Sequence, residues 1–252
     1  MRSKEIVRYV KNFIFPNRCI SCDDILNFGV GLYNEHICKK CINNIEFIDN
    51  LHCTKCGAKI NDYDKHLCSR CESNYADKIS YYKYGIGLCR YNNIIKKSIH
   101  RIKYENRREY LEFYGKAIVK KYFAEIKNMN IDCFVPVPIH KKRYLDRNYN
   151  QAQVLAEYIS DELKKYNNDI PVNNDIIYRT KNTKSLNKFD NLGRVNELNN
   201  AFIVKKYKNI NNICIIDDIY TTGSTIEAMS KILCYSGYHN IYFICIAVVD
   251  NL

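Results

Sequence analysis

From residue 76 onward, apolar strand-like runs alternate with amphipathic stretches. Tyr110 to Lys127 reads as a helix, Asp132 to Val137 as a strand and Gln151 to Lys165 as a second helix. Ile213 to Ile216 and Ile241 to Val249 read as buried strands, separated by a helix-compatible segment from Thr225 to Tyr235. Alternation of this kind predicts a parallel α/β sheet. Between Tyr178 and Asn200 lies a polar, Asn- and Lys-rich stretch with little periodicity, which reads as a loop with at most a short helix. The longest uninterrupted apolar run, Ile241 to Val249, has nine residues, against the roughly 20 that a membrane-spanning helix needs. No transmembrane span is expected.

Before residue 76 the pattern is set by cysteine. Eight of the 13 cysteines fall in four C-x-x-C pairs: Cys19/Cys22, Cys38/Cys41, Cys53/Cys56 and Cys68/Cys71. A thiolate is a soft ligand, and a C-x-x-C turn brings two sulfurs to one ion, so two such pairs complete a tetrahedral zinc site. Four pairs therefore predict two structural zinc ions. The simplest assignment joins the first two pairs and the last two, while an interleaved one also fits the spacing. Gly57, directly after Cys56, suits the positive φ of a tight turn. His36, His52 and His66 lie close by and read as surface or supporting residues. The expected domains are residues 1–75, a double zinc ribbon, and residues 76–252, the α/β unit.

The chain has 252 residues, 46% of them apolar, which is enough for a real core. Its formal net charge is +12; basic residues exceed acidic ones by 2 before residue 76 and by 10 after it, so an anionic partner for the second domain is expected. The basic N-terminus has no uninterrupted apolar core or small-residue cleavage site, as a signal peptide would. A cytoplasmic location is expected, and it favours metal binding over disulfides.

The sharpest chemistry follows Ile213 to Ile216, where the chain reads Asp217-Asp218-Ile219-Tyr220-Thr221-Thr222-Gly223-Ser224-Thr225 and enters a helix. Turn and helix N–H groups, with the hydroxyls of Thr221, Thr222, Ser224 and Thr225, can surround a phosphate, and Gly223 permits close approach. Carboxylates repel phosphate but accept from vicinal hydroxyls. Asp217 and Asp218 thus suit a ribose whose 5′-phosphate sits in the loop.

This order resembles the phosphoribosyl-pyrophosphate signature of type I phosphoribosyltransferases, D-D-x-x-T-T-G-x-T, at every defined position. With the cysteine module in front, the chain resembles the ComF family of phosphoribosyltransferase-like competence proteins over nearly its whole length. Phe15-Pro16-Asn17-Arg18-Cys19 resembles the entry to the family's zinc ribbon, and Ile99-His100-Arg101-Ile102-Lys103-Tyr104 its basic motif. Val135-Pro136-Val137-Pro138, with Lys142, Arg143, Arg147 and Asn150-Gln151-Ala152, resembles its P-V-P loop and R-x-x-x-R-x-x-N-Q segment. Thr183, Arg194 and Ala201-Phe202 also fit, whereas Leu186 and Glu197 stand where the family often has glutamine and asparagine.

The resemblance implies a type I phosphoribosyltransferase-like, Rossmann-like parallel sheet behind a zinc ribbon. It implies binding of phosphoribosyl pyrophosphate with magnesium, and a role in natural transformation beside a helicase-like partner, at the inner face of the membrane. Val137 would line the pyrophosphate loop, and Lys103, Lys142, Arg143 or Arg147 would neutralise pyrophosphate. The expected reaction displaces pyrophosphate from the anomeric carbon, with an acceptor that the residues do not specify. His100 and His140 read as exposed or structural, and no general base stands out.

A non-catalytic adaptor for single-stranded DNA is the competing reading. Lys96 to Arg147 holds 14 basic and 6 acidic residues, interspersed with Tyr104, Tyr110, Tyr114, Tyr122, Tyr144 and Tyr149. Cations would follow the backbone while the rings stack on bases.

Overall fold

A computed structural model describes residues 16–26, 36–49, 51–77, 80–179 and 202–249. Two short helices, α1 (Lys39–Ile42) and α2 (Ser69–Asp77), belong to the cysteine module. The rest follows the order β1 (Gly85–Arg90), α3 (Asn93–Tyr104), α4 (Tyr110–Asn128), β2 (Cys133–Pro136), α5 (Lys141–Arg147), α6 (Gln151–Lys164), β3 (Ile177–Arg179), β4 (Phe202–Val204), β5 (Asn212–Tyr220), α7 (Ser224–Tyr235) and β6 (Asn240–Val248). The expected division near residue 75 falls within α2.

Four strands form one sheet in the order β1-β6-β5-β2, and every neighbouring pair is parallel. Strands covered on both faces read as continuous apolar runs, which is why β5 and β6 show no polar alternation. Their side chains still alternate between two layers. Cys214, Ile216, Ile244 and Ile246 face a core built with α3, α4 and α6. Ile213, Ile215, Ile241, Phe243 and Cys245 face a second core that includes Ile226, Met229 and Leu233 of α7.

Two expectations change. The strand expected at Ile213 to Ile216 continues to Tyr220, so both aspartates lie inside β5, with Asp217 paired in register to Cys245. Added apolar residues beyond the acids, Ile219 and Tyr220, keep the strand profitable to pair. Tyr178 and Arg179, expected in a loop, form β3, which pairs antiparallel with β4. Residues 180–201, with Thr183, Leu186, Arg194, Glu197 and Ala201, lie outside the described residues, as do residues 1–15 with Phe15.

The cysteine module straddles the open edge of the sheet. Phe47 bridges Cys89 of β1 in antiparallel fashion, Ile48 N donates to Leu88 O at 3.0 Å, and Arg90 N donates to Glu46 O at 2.9 Å. This covers an edge strand that would otherwise present unpaired amides. Cys19, Ile20, Ile37 and Ile45 join the α3/α4 core, whereas Cys53, Cys56 and Cys71 join the α7 core. The module thus packs half on each layer. Among the described residues no helix is long and apolar enough to cross a membrane.

Gly57 does take a positive φ, +70°, and a Cβ there would lie 2.7 Å from Gly87 N and 2.8 Å from Gly85 O. Gly57→Ala should therefore lower stability by about 2 kcal/mol through left-handed strain and a clash with β1 backbone. Denaturant unfolding of zinc-loaded protein measures this; an unchanged midpoint would mean that the module is not seated on β1.

Candidate functional site

The four sulfurs of Cys19, Cys22, Cys38 and Cys41 lie within 4.8 Å of one another, as do those of Cys53, Cys56, Cys68 and Cys71. Separations of 4.0 Å for Cys22–Cys38 and 3.6 Å for Cys56–Cys68 bracket the ~3.8 Å edge of a tetrahedron with Zn–S bonds of about 2.3 Å. The donor sets fit zinc, in sequential pairs rather than interleaved ones. With all four positions filled by protein, both are structural sites. The nearby histidines stay outside: His36 Nε2 lies 3.2 Å from Glu112 Oε2, and His52 Nδ1 lies 3.0 Å from Asp49 O. Contact with His36, aided by Lys116, holds the Glu112 carboxyl down to about 2 despite partial burial, which ties the first ribbon to α4.

The second feature lies at the carboxyl ends of β5 and β2. Successive strand residues point to opposite layers, and it is Asp218 that reaches the α3 side, where it forms an ion pair with Lys103. Its side chain is 7% exposed and that of Lys103 19%. Burial opposes ionisation of Asp218, but the Lys103 ammonium and a hydrogen bond from Gln151 outweigh it and hold its carboxyl below the ordinary range. Asp217 is pushed well above that range, by burial first and then by the Asp218 charge beside it. The pair therefore shares unequal environments, one carboxylate charged and one inclined to keep its proton.

The loops around the pair are locked. Val137 N donates to Ile216 O at 2.9 Å, and the Asn150 side chain donates to Val137 O at 3.0 Å while accepting from Ala152 N at 3.0 Å. One amide thus caps α6 and pins the P-V-P turn to it. Arg147 donates to Gln151 Oε1 at 3.0 Å, and Tyr149 OH donates to Ile102 O. Thr222 Oγ1 lies 2.7 Å from Ser224 Oγ and accepts from Ser224 N at 3.4 Å. Gly223, the N-cap of α7, has φ +80°, and a Cβ there would strike Tyr220 Oη. Glycine is needed there by backbone conformation and by the ring beneath it.

The segments singled out in the sequence thus converge: Lys103, Val137, Arg147 with Gln151, and Asp217 to Thr225 lie around one end of the sheet. Lys103, expected to face pyrophosphate, is engaged by Asp218 in this structure. Arg143, on α5, lies near Arg179, whose guanidinium burial and the Arg143 charge disfavour while Asp217 favours it. Arg179 and Gln151 were not among the expected site residues; Gln151 stands inside the R-x-x-x-R-x-x-N-Q segment, which was the available signal. His140 accepts from Lys142 N at 3.2 Å as the cap of α5, and His100 is an exposed partner of Glu105 at 3.3 Å.

The aromatic argument for nucleic acid loses most of its rings. Tyr110, Tyr114, Tyr122 and Tyr149 are core residues; only Tyr104 and Tyr144 of the six are exposed. Arg147 sits over the Tyr104 ring at 5.2 Å.

A model described as a double zinc ribbon domain matches residues 10–72. Competence protein F of Haemophilus influenzae is 27% identical over 231 residues, covering 87% of this chain and 91% of that protein. Competence protein ComFC of Bacillus subtilis is 24% identical over 228 residues, covering 87% and 89%. The DNA utilization protein YhgH of Escherichia coli is 24% identical over 142 residues, covering 55% and 60%. Zinc-ribbon cysteine groups packed on a parallel α/β sheet, consistent with the type I phosphoribosyltransferase-like fold, define the class. Together these matches support a protein of the ComF family.

Lys103→Met should destabilise the protein by about 3 kcal/mol at neutral pH, because it leaves the Asp218 charge buried without its cation. The penalty exists only where Asp218 is ionised, so it should shrink as pH falls toward the ordinary aspartate range. Adding Asp218→Asn should recover most of it. A double-mutant cycle in denaturant measures the coupling, and additive effects would contradict the pairing.

Proposed function

We propose that this protein binds phosphoribosyl pyrophosphate at Asp217 to Thr225 and acts in the cytoplasm in the uptake and handling of transforming DNA. The observation that carries the ligand reading is the desolvated acid pair, one member charged against Lys103, beside a hydroxyl-rich turn at the carboxyl end of a parallel strand. Ligands of open α/β sheets bind at that end. The DNA role is supported by the relatives, named as competence proteins and as a DNA utilization protein.

In this reading the carboxylates accept from the ribose hydroxyls while Thr221, Thr222, Ser224, Thr225 and the first amides of α7 hold the 5′-phosphate. Val137 lines the pyrophosphate side, held there through Asn150. Lys103, released from Asp218 as the carboxylate takes a hydroxyl, joins Arg143 and Arg147 in neutralising pyrophosphate. Magnesium, when bound with the ligand, would offset phosphate charge using phosphate oxygens, water and the nearby carboxylates. The chemistry suited to such a site is loss of pyrophosphate to an acceptor through a cationic sugar, which a neighbouring carboxylate charge stabilises. A second reading, an adaptor for single-stranded DNA, is favoured by exposed Tyr104 and Tyr144 beside Arg147.

Calorimetric titration of phosphoribosyl pyrophosphate with Mg²⁺ should show saturable binding, weakened over a hundred-fold, roughly 3 kcal/mol, in the Asp217→Asn, Asp218→Asn variant. Because the raised Asp217 keeps its proton at low pH and accepts hydrogen bonds best without it, affinity should rise with pH and lose that dependence in Asp217→Asn. No binding, together with saturable, salt-sensitive capture of single-stranded DNA, would carry the adaptor reading instead.

A further inference from the structure

The two knuckles of the second cysteine group share a feature found in only one knuckle of the first, at Lys40. In Cys53-Thr54-Lys55-Cys56 and Cys68-Ser69-Arg70-Cys71 the residue before the second cysteine is a cation. Arg70 reaches the phosphate loop itself, and Lys55 reaches the aromatic rings that pack beside it. Arg70 donates to Thr221 O, within the loop itself, and to Val249 O at 2.5 Å, and its guanidinium lies 5.6 Å from the Tyr220 ring centroid. Lys55 donates to Tyr82 O and to Lys83 O, the latter at 3.0 Å, with its ammonium 4.2 Å from the Tyr82 centroid.

The rings they grip are one unit. Tyr82 and Tyr220 hydroxyls lie 3.0 Å apart, Tyr220 stacks on Phe243 at 4.8 Å, and Tyr82 meets Phe243 edge-on at 5.2 Å. Tyr220 in turn supports Gly223, the turn residue that opens α7. In the first group the corresponding residues are Ser21, whose carbonyl accepts from Arg101 at 2.8 Å, and the exposed Lys40.

We propose that the second zinc site is a strut for the phosphate loop, with Arg70 as the positioning residue that transmits metal occupancy to Thr221. Cys68 and Cys71 fix the start of α2 around the ion, and that start aims the guanidinium. With the metal gone the helix start is released and the loop loses the tie that Arg70 makes to Thr221 O. By linkage the effect is reciprocal: an anion that orders the loop must also slow loss of that metal. The inference deepens the sugar-phosphate reading of the loop, and its ligand arm rests on that reading.

The test uses the full zinc-loaded chain and its Arg70→Ala and Arg70→Lys variants, each checked for two zinc ions by elemental analysis. Amide exchange at residues 220–226 should be at least ten-fold faster in Arg70→Ala, and partly restored in Arg70→Lys, with residues 213–217 unchanged. Unaltered loop exchange in Arg70→Ala with zinc intact would overturn the proposal. In the unmutated chain, saturating phosphoribosyl pyrophosphate with Mg²⁺ should slow chelator-driven release of one zinc ion and not the other. Ligand binding that leaves both release rates unchanged would also overturn it. If no ligand binds, the sugar-phosphate reading fails and the exchange experiment decides the strut alone; should Arg70→Ala not fold, Arg70→Lys is read in the same way.

Discussion

Two adjacent carboxyl groups held inside a parallel sheet are the constraint around which this molecule is arranged. Desolvation alone would neutralise both. Lys103 prevents that for Asp218, and the chain invests several elements in placing it: α3 carries the ammonium, Tyr149 grips Ile102 beside it, and α6 adds Gln151 from the other side. The outcome is an asymmetric pair, one member charged and the other disposed to hold a proton. Such a pair is poor packing and good chemistry, and the departure from a purely apolar strand falls where a ligand would enter.

The sheet's two-sided burial then gives the cysteine module its form. The open sheet has two edge strands, β1 and β2, and residues 46–48 cover β1 while the module sends one metal-binding lobe to each face. The first lobe is tied to α3 and α4 through Arg101–Ser21 and His36–Glu112. The second lies against β1 and the aromatic unit under the Thr221 to Ser224 turn. The ribbons are thus built into the cores of the α/β unit rather than hung from it, and metal binding contributes to the same fold that forms the site.

Much of this was legible in the sequence because it rests on local order. Four equal cysteine spacings announce their ligands, and the nine residues from Asp217 to Thr225 keep their order wherever the strand ends. The alternation of apolar runs gave the parallel sheet and three of its helices. What was not legible depends on tertiary contact. The covering of β1 pairs residues some forty positions apart with no pattern to announce it. Arg179 and Arg70 look like ordinary surface cations until the fold brings them beside Asp217 and Thr221. The tyrosines mislead for a different reason: Tyr110, Tyr114 and Tyr122 recur with Ile118 at four-residue intervals, which is the period of a buried helix face and outweighs their apparent interspersion with charge.

The unequal acid pair is the claim on which the rest turns, and a carbon-detected NMR titration of labelled aspartates in the zinc-loaded protein tests it directly. Asp217 should titrate well above the ordinary aspartate range and Asp218 below it, with Asp218 moving up when Lys103 is replaced by methionine. Two carboxyls titrating together near the ordinary value, indifferent to Lys103, would contradict the account.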